Sequence, residues 1–425
     1  MSELQSAKFW KVALPCEWAT PPEFWSLSSL RDVESCPRRW ALRRSSYSLL
    51  GAEHSYPSRP SLPVVEGVVV HEALEVLIRA LVEAGCTTMH SESAISVMRH
   101  LGGISTVITK AIDNALRGYD GNVRAENLKD RLGEVLKSRT PAIRLRIQSV
   151  LSQMTFPETT QSKGPRVEKK SGTGTAGLGP GCYTEMRLSH TAKGWAGRAD
   201  LIKVYDPGVE IVDYKAGFRS PDHEAQLRFY GLLWLNDRKR NPRGRAPTDL
   251  TLHYPDGQVR IPAPSLAEYA AIEKECDLRI GEMTGFLSKS PPPARTSPEN
   301  CIHCDVRHLC STYWAQIEKD SVFPANFRQK YVDAEVAVAN QRALHTWDVV
   351  VRTCTGSPRR GIAVILKAAG AQERQRSIIE ASEYLRVLDA KVITSDDHTE
   401  ANVLLLGRSS EVYALESSQQ IGLGA

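Results

Sequence analysis

The chain has 425 residues, of which 24% are charged and 41% hydrophobic, and a net charge of +5; this is an ordinary globular composition, long enough for two or three domains, and it excludes a disordered chain. No run approaches the roughly 18 uninterrupted apolar residues that cross a bilayer, and Met1 to Trp10 lacks the basic-then-apolar layout of a signal peptide. A cytoplasmic location with no membrane partner is expected. Nine cysteines, an odd number in an unsecreted chain, point to metal or reduced thiol rather than to a disulfide framework.

Residues 1–25 read as an irregular segment, broken by Pro15, Pro21 and Pro22. Ser28 and Ser29 are placed to cap a helix that runs toward Cys36 and stops at Pro37. After a proline-rich connector, Glu66 to Glu83 reads as a helix with Val70, Leu74, Leu77, Ile78 and Leu81 at helical spacing. A second helical stretch covers 91–154, inside an insertion spanning about 86–181, and the Gly/Ser/Thr-rich segment 157–181 is expected to be a flexible loop. The period then changes to two. Tyr183–His190, Trp195–Tyr205 and Val209–Tyr214 read as strands separated by turn residues. Ser220 and Pro221 open a helix that continues through Trp234, and Leu250, Leu252 and Tyr254 mark a fourth strand. This order gives an α/β sandwich around a mixed sheet. From about 340 to 425 short alternating runs predict a small β-rich domain, for which a barrel such as an OB-fold is one candidate and a mixed scaffolding domain the other.

The chemistry-bearing residues cluster between the early helices and residue 310. Asp213 and Lys215 share one face of a strand, and Asp200 sits on the neighbouring strand of the hairpin. Two carboxylates with a lysine suit metal-assisted phosphodiester hydrolysis, in which hard oxygen ligands hold a divalent cation and the lysine stabilises charge. Charge directly after the apolar run Ile211-Val212 is costly unless used. Gln226 and Tyr230 lie on one face of the next helix and are placed to reach the scissile phosphate or Lys215. His71 is the only histidine of its apolar helix, where a core role is the ordinary reading; the helix precedes the three strands, which favours metal ligation. Glu185 is a further acidic candidate, balanced against a solvated strand residue. Lys and Arg outnumber Asp and Glu across 121–170, and Arg238, Lys239, Arg240, Arg243 and Arg245 crowd one loop, which suits a phosphate backbone. Cys36, followed by Pro37, and the triplet Cys301, Cys304 and Cys310 bracket this region; by spacing alone four thiolates suit either zinc or iron. Cys16, Cys86, Cys182, Cys276 and Cys354 are expected to pack as small apolar side chains.

These motifs resemble the RecB-type branch of the PD-(D/E)XK nuclease superfamily over residues 26–315. The helix histidine, Gly-x-x-Asp, Asp-Tyr-Lys and Gln-x-x-x-Tyr of that branch fall on His71, Asp200, Asp213, Lys215, Gln226 and Tyr230. The entry around Cys36-Pro37 and the C-terminal triplet look like its iron–sulfur subgroup, which includes AddB nuclease domains and CRISPR-associated iron–sulfur exonucleases. The resemblance implies a PD-(D/E)XK restriction-endonuclease-like core over 26–325, a mixed sheet flanked by helices, latched by a 4Fe-4S cluster on Cys36, Cys301, Cys304 and Cys310. It implies an Mg2+- or Mn2+-dependent DNA nuclease, an exonuclease acting on single strands or ends, with metal on His71, Asp200 and Asp213. Repair, recombination or phage defence is the expected setting; no Gly-x-x-x-x-Gly-Lys-Ser/Thr loop appears, so a helicase is expected as a separate subunit. The rival readings are a non-cutting DNA-binding scaffold of a helicase or defence complex, and a redox-responsive regulator.

Overall fold

The computed structural model of the protein describes residues 9–48, 50, 55–126, 128–156, 177–215, 217–319, 330–368, 370–371, 373–394 and 401–416. Helix α1 (Leu27–Ser35) starts earlier than expected, capped by Ser26 rather than Ser28 or Ser29. The Ser26 side chain accepts the Ser29 N–H while Ser29 accepts the Ser26 N–H, which satisfies two otherwise orphaned amides at once. Cys36 stands between α1 and α2 (Pro37–Arg44) in extended backbone, its sulfur accepting the Arg39 N–H at 3.4 Å. Helix α3 (Leu62–Glu83) begins ahead of Glu66 because Pro63 is tolerated in the first turn. The stretch expected to be helical over 91–154 divides into α4 (Glu92–His100), α5 (Ile104–Arg117), α6 (Lys129–Ser138) and α7 (Thr140–Ser152). Gly102 and Gly103, both at positive φ, make the first break. The loop expected over 157–181 lies outside the described residues as far as 176.

A five-stranded mixed sheet forms the centre. It comprises β1 (Gly181–His190), β2 (Trp195–Val204), β3 (Val209–Tyr214), β4 (Asp249–Tyr254) and β5 (Gly257–Pro262), in that spatial order, with β3 and β4 parallel and the other neighbours antiparallel. Helix α8 (Pro221–Asn236), capped by Ser220, makes the crossover from β3 to β4. Leu201, Val212 and Tyr214 face α3 and the inserted helices, while Ala199, Ile202 and Ile211 face α8, α1 and the long helix α9 (Leu266–Leu287). Strand β5 and helix α9 were not anticipated from the sequence. Among the described residues no helix is long and apolar enough to cross a membrane.

Two short helices, α10 (Pro298–Ile302) and α11 (Ser311–Glu318), carry the cysteine triplet toward a second sheet. That sheet starts at Tyr331, upstream of the expected boundary at 340, because β6 (Tyr331–Ala343) belongs to it. With β7 (Thr346–Cys354), β8 (Ala363–Lys367), helix α12 (Glu373–Glu380), β9 (Tyr384–Thr394), β10 (Ala401–Leu405) and β11 (Glu411–Ala414), the order is β10-β8-β7-β6-β9-β11, and an extra β9–β10 pairing closes five strands into a ring. Only β8 and β10 run parallel among these pairings. Val332, Val336, Trp347, Val349, Leu366, Leu385 and Leu404 fill the interior.

The ring is fastened to the core by ions taken out of water. Arg307, between Cys304 and Cys310, donates from Nε to Asp333 of β6 at 2.5 Å, and Tyr313 adds a 2.6 Å hydrogen bond to the same carboxylate. Arg124, from the insertion, makes a bidentate pair with Glu411 of β11 at 2.9 and 2.7 Å. Residues 9–25, expected to be irregular, are tied down: Phe9 and Trp10 are buried and Val12 donates to Ala414 at 2.9 Å. Removing one member of a buried pair strands the other charge, at a cost of about 3–5 kcal/mol. Glu411→Ala is therefore expected to lower unfolding stability by about that amount in urea titration, and Arg124→Met combined with Glu411→Leu is expected to recover most of it.

Candidate active site and a cysteine-lined cavity

The site forms where β2, β3 and α8 meet. Thr184 pairs with Leu201 and Met186 with Ala199, which sets Glu185 opposite Asp200 on β1 and β2. Leu201 pairs with Val212, so Asp200, midway along β2, stands beside Asp213, near the end of β3. Asp213 shares the parity of Ile211 and so turns toward α8; on β2 the alternation breaks at Asp200, since Ala199 and Ile202 both face α8 while Leu201 faces α3. Gly197 is needed here. A Cβ at that position would lie 2.8 Å from the Tyr230 ring, and its absence lets the ring pack on β2 beside Asp200.

The two carboxylates are held in different ways. Asp200 Oδ2 accepts the Tyr214 N–H at 2.7 Å, yet burial first, and the Asp213 charge second, push its carboxyl well above the usual carboxylate range. Asp213, only 2% exposed, lies 2.6 Å from Lys215 Nζ through Oδ2. That contact has an ion-pair distance without hydrogen-bond alignment, and Oδ2 has no hydrogen-bond donor. Lys215 donates instead to Gln226 Oε1 at 2.8 Å, and Gln226 Nε2 donates to Tyr230 Oη at 2.7 Å. Lysine, glutamine and tyrosine thus form one relay, each orienting the next. Burial and the nearby carboxylates raise the Tyr230 phenol, so it stays protonated.

His71 reaches across from α3, its Nδ1 3.9 Å from Asp200 Oδ2. Burial holds its imidazole below the ordinary value, which leaves it neutral and free to offer a nitrogen lone pair. Glu185 joins the group as well. Its φ of +51° is left-handed, a strained setting for a residue with a side chain. Burial and Glu75 raise its carboxyl, and Arg198 lies 3.5 Å away. The sequence passed over two neighbours. Glu75 lies one turn beyond His71 on α3. His223 lies one turn before Gln226 on α8, its Nδ1 2.9 Å from Tyr254 Oη and its imidazole lowered by burial and then by Lys215. The i,i+3 spacing of His223 and Gln226 was the available signal. Of the basic loop, Arg240 is committed internally, to Asp237 at 2.9 Å.

All the donors except His71 are hard oxygens, and one of them is buried with no proton to accept, a set that suits Mg2+ or Mn2+. Among the described residues, however, no three His, Cys, Asp or Glu side chains close into a ready-made ion cage.

The four cysteines Cys36, Cys301, Cys304 and Cys310 are all buried and line a single cavity with Arg38, Arg307 and Tyr313. Burial pushes the Cys301 thiol up to about 11, and raises Cys304 and Cys310 as well. The two halves of this cap are stitched independently of the sulfurs. Arg38 Nε donates to Pro292 O at 2.6 Å, Ser35 to Asn300 at 3.0 Å and Arg43 to Asp305 at 2.7 Å. Of the other cysteines, Cys86 and Cys276 pack in apolar cores as expected. Cys182 and Cys354 are half-buried, and Cys16 departs from the expectation: it is exposed, its thiol donating to Ser46 O at 3.1 Å.

A raised carboxyl makes its ionised form a liability in the metal-free protein. The penalty is absent below the unfolded value of 3.8, where Asp200 is protonated in both states, and grows as pH rises toward the folded value. Asp200→Asn, which keeps an acceptor for Tyr214, is expected to raise Tm by a few degrees in EDTA at pH 8. The gain is expected to vanish near pH 3.5–4 in the same calorimetric series.

No curated protein matches the chain. The model of the PD-(D/E)XK nuclease superfamily matches residues 24–311, the span that holds both carboxylates, the lysine, the helix histidine and all four cap cysteines. The chain belongs to the PD-(D/E)XK nuclease superfamily.

Proposed function

We propose that the protein is an Mg2+- or Mn2+-dependent deoxyribonuclease that hydrolyses phosphodiester bonds as an exonuclease, on single strands or ends. One observation carries this reading. Asp200 and Asp213 are buried side by side on adjacent strands, and Lys215 lies 2.6 Å from Asp213 while hydrogen-bonded to Gln226. A structural ion pair has no use for the second carboxylate, whose burial beside the first is unfavourable until a cation arrives. Asp200, Asp213 and His71 would hold the divalent ion, with Glu185 within the same group. When bound, the ion supplies positive charge for the scissile phosphate and acidifies water. Lys215 has three N–H donors. Gln226 takes one while Asp213 balances the charge, which leaves donors for the substrate side, at a phosphoryl oxygen or the attacking water. Tyr230 and Gln226 fix the lysine against rotation, an arrangement that removes reorganisation from the chemical step.

The cysteine cavity supports a 4Fe-4S cluster as a structural latch. A lone zinc, with Zn–S bonds of about 2.3 Å, draws four sulfurs tightly around one point. Here the four sulfurs line one cavity, and the likeness of their spacing to the iron–sulfur subgroup favours the cluster over a lone zinc. The closed five-stranded ring supports an OB-like reading of residues 331–416 and with it a preference for single strands. A place in DNA repair, recombination or phage defence, beside a separate helicase that supplies the strand, belongs to the same proposal. The second reading is a non-cutting DNA-binding scaffold of a helicase or defence complex; the absence of a preformed ion cage among the described residues favours it.

Cleavage of end-labelled single-stranded DNA by the purified chain separates the two readings. Cleavage is expected with Mg2+ or Mn2+ and none in EDTA. Asp213→Ala should abolish it, Lys215→Met should lower kcat roughly 100-fold or more, and Gln226→Ala about 10- to 100-fold. Full activity in Asp213→Ala sinks the mechanism, and an inert wild-type chain that still binds DNA leaves the scaffold. For the latch, protein purified without oxygen is expected to be brown, with visible thiolate-to-iron absorbance. Cys304→Ser is expected to lose that absorbance and to melt at lower temperature, whereas a colourless zinc-loaded protein would refute the cluster.

A further inference from the structure

The loop that leaves the site carries a side chain that neither the fold nor the mechanism uses. Phe218 is 96% exposed, more than any other large apolar side chain among the described residues; Leu344 follows at 79%. Scattered exposed apolar residues are normal on protein surfaces, so exposure alone decides nothing. Position decides. Phe218 is the third residue after Lys215, and three residues reach at most about 10 Å, roughly three base steps of a stacked strand. Its carrier is anchored at both ends. Lys215 donates its N–H to His253 O at 2.9 Å, and Arg219 stacks over the Tyr254 ring at 5.4 Å while pairing with Asp256 at 3.2 Å. Described anchors thus stand on both sides of the exposed ring. On α3, Val68 and Val64, 49% and 61% exposed, precede His71 by about one and two turns.

We infer that Phe218 is a base-stacking residue, which receives the face of an unpaired nucleobase next to the scissile phosphate. This rests on the nuclease reading for the identity of the substrate. A phenyl ring has nothing to offer a phosphate or a sugar hydroxyl. The apolar surface a nucleic acid presents is the face of a base, and in a duplex those faces are covered by their neighbours. The ring therefore selects single strands, frayed ends or flipped bases at the catalytic step itself, independently of any binding elsewhere on the chain. Because every base has such a face, the selection is for unpaired structure and not for sequence.

The test uses the full chain in two assays. In steady-state cleavage of a short single strand, Phe218→Ala is expected to raise KM roughly tenfold, with Phe218→Trp restoring it and Phe218→Leu failing to. A single abasic nucleotide moved along the substrate should reproduce that loss at one position in the wild type and cause no further loss in Phe218→Ala. In the second assay, 2-aminopurine at that position is titrated with Asp213→Asn protein, which holds the strand uncut. Quenching on binding is expected, and its disappearance in the Phe218→Ala double variant. Phe218 is solvent-exposed, so the variants should melt as the wild type does. Cleavage with an unchanged KM and a flat abasic profile overturns the stacking and leaves the nuclease reading standing. Phe218-dependent quenching in a chain whose wild type never cuts retains the stacking and removes the nuclease reading. Recovery by Phe218→Leu would also overturn the proposal, reducing the residue to generic bulk.

Discussion

Two carboxylates buried on neighbouring strands are the constraint to which the rest of the site responds. Asp200 and Asp213 cannot both be ionised in a dry setting without help. The surroundings supply that help in graded amounts: one backbone N–H for Asp200 and one ammonium for Asp213. Neither satisfies the pair. Asp200 remains inclined to hold a proton, and an oxygen of Asp213 lacks a donor. A site that merely needed stability would replace this arrangement by apolar side chains, which pack as well and avoid the desolvation cost. The neighbouring features follow from the same requirement. Gly197 makes room for Tyr230, Tyr230 holds Gln226, and Gln226 holds Lys215 at the distance where it steadies Asp213.

Glu185 adds a second form of stored cost. Its left-handed backbone directs a further carboxyl toward the pair at the place where the β1 ladder faces Asp200. Strain of this sort persists only where flanking structure over-determines it, and the long regular pairing on either side of Glu185 does so. Electrostatic and conformational cost coincide within one corner of the sheet, which is where a binding event has most to release.

Much of this corner was legible in the sequence because its signals are local. The alternation of β1 to β3, the Ser220-Pro221 helix start, the shared parity of Asp213 and Lys215 and the four-residue spacing of Gln226 and Tyr230 all act over a few residues. The reading faltered where neighbours in space are far apart in sequence. Helix α9 presents few buried positions along its length, Tyr269, Cys276, Met283 and Leu287, and so has a weak apolar stripe. Strand β6 carries Asp333 and Glu335 on its outer face, which obscured the alternation of Val332, Ala334, Val336 and Val338. Asp333 is buried only because Arg307 and Tyr313 arrive from the cap. The left-handed Glu185 had no signature at all, since glycine is the residue that ordinarily announces such a backbone.

The cap explains why these parts have to be considered together. Cys36 and the Cys301–Cys310 segment close a loop that contains the whole sheet, the insertion and α8, and closing a loop of that length is entropically costly for any tether. Hydrogen bonds such as Arg38 to Pro292 share the task with whatever the four sulfurs hold. Arg307 then carries the same closure outward: its Nη1 donates to Cys304 O at 3.0 Å while its other nitrogens engage Asp333 and Asp389. Buried ionic contacts of this kind contribute little net affinity, but they tolerate one geometry far better than its neighbours. An apolar seam alone would let the ring of strands slide against the cap. With a guanidinium held between two cysteine positions on one side and two aspartates on the other, the register of the ring is tied to the segment that lines the sulfur cavity.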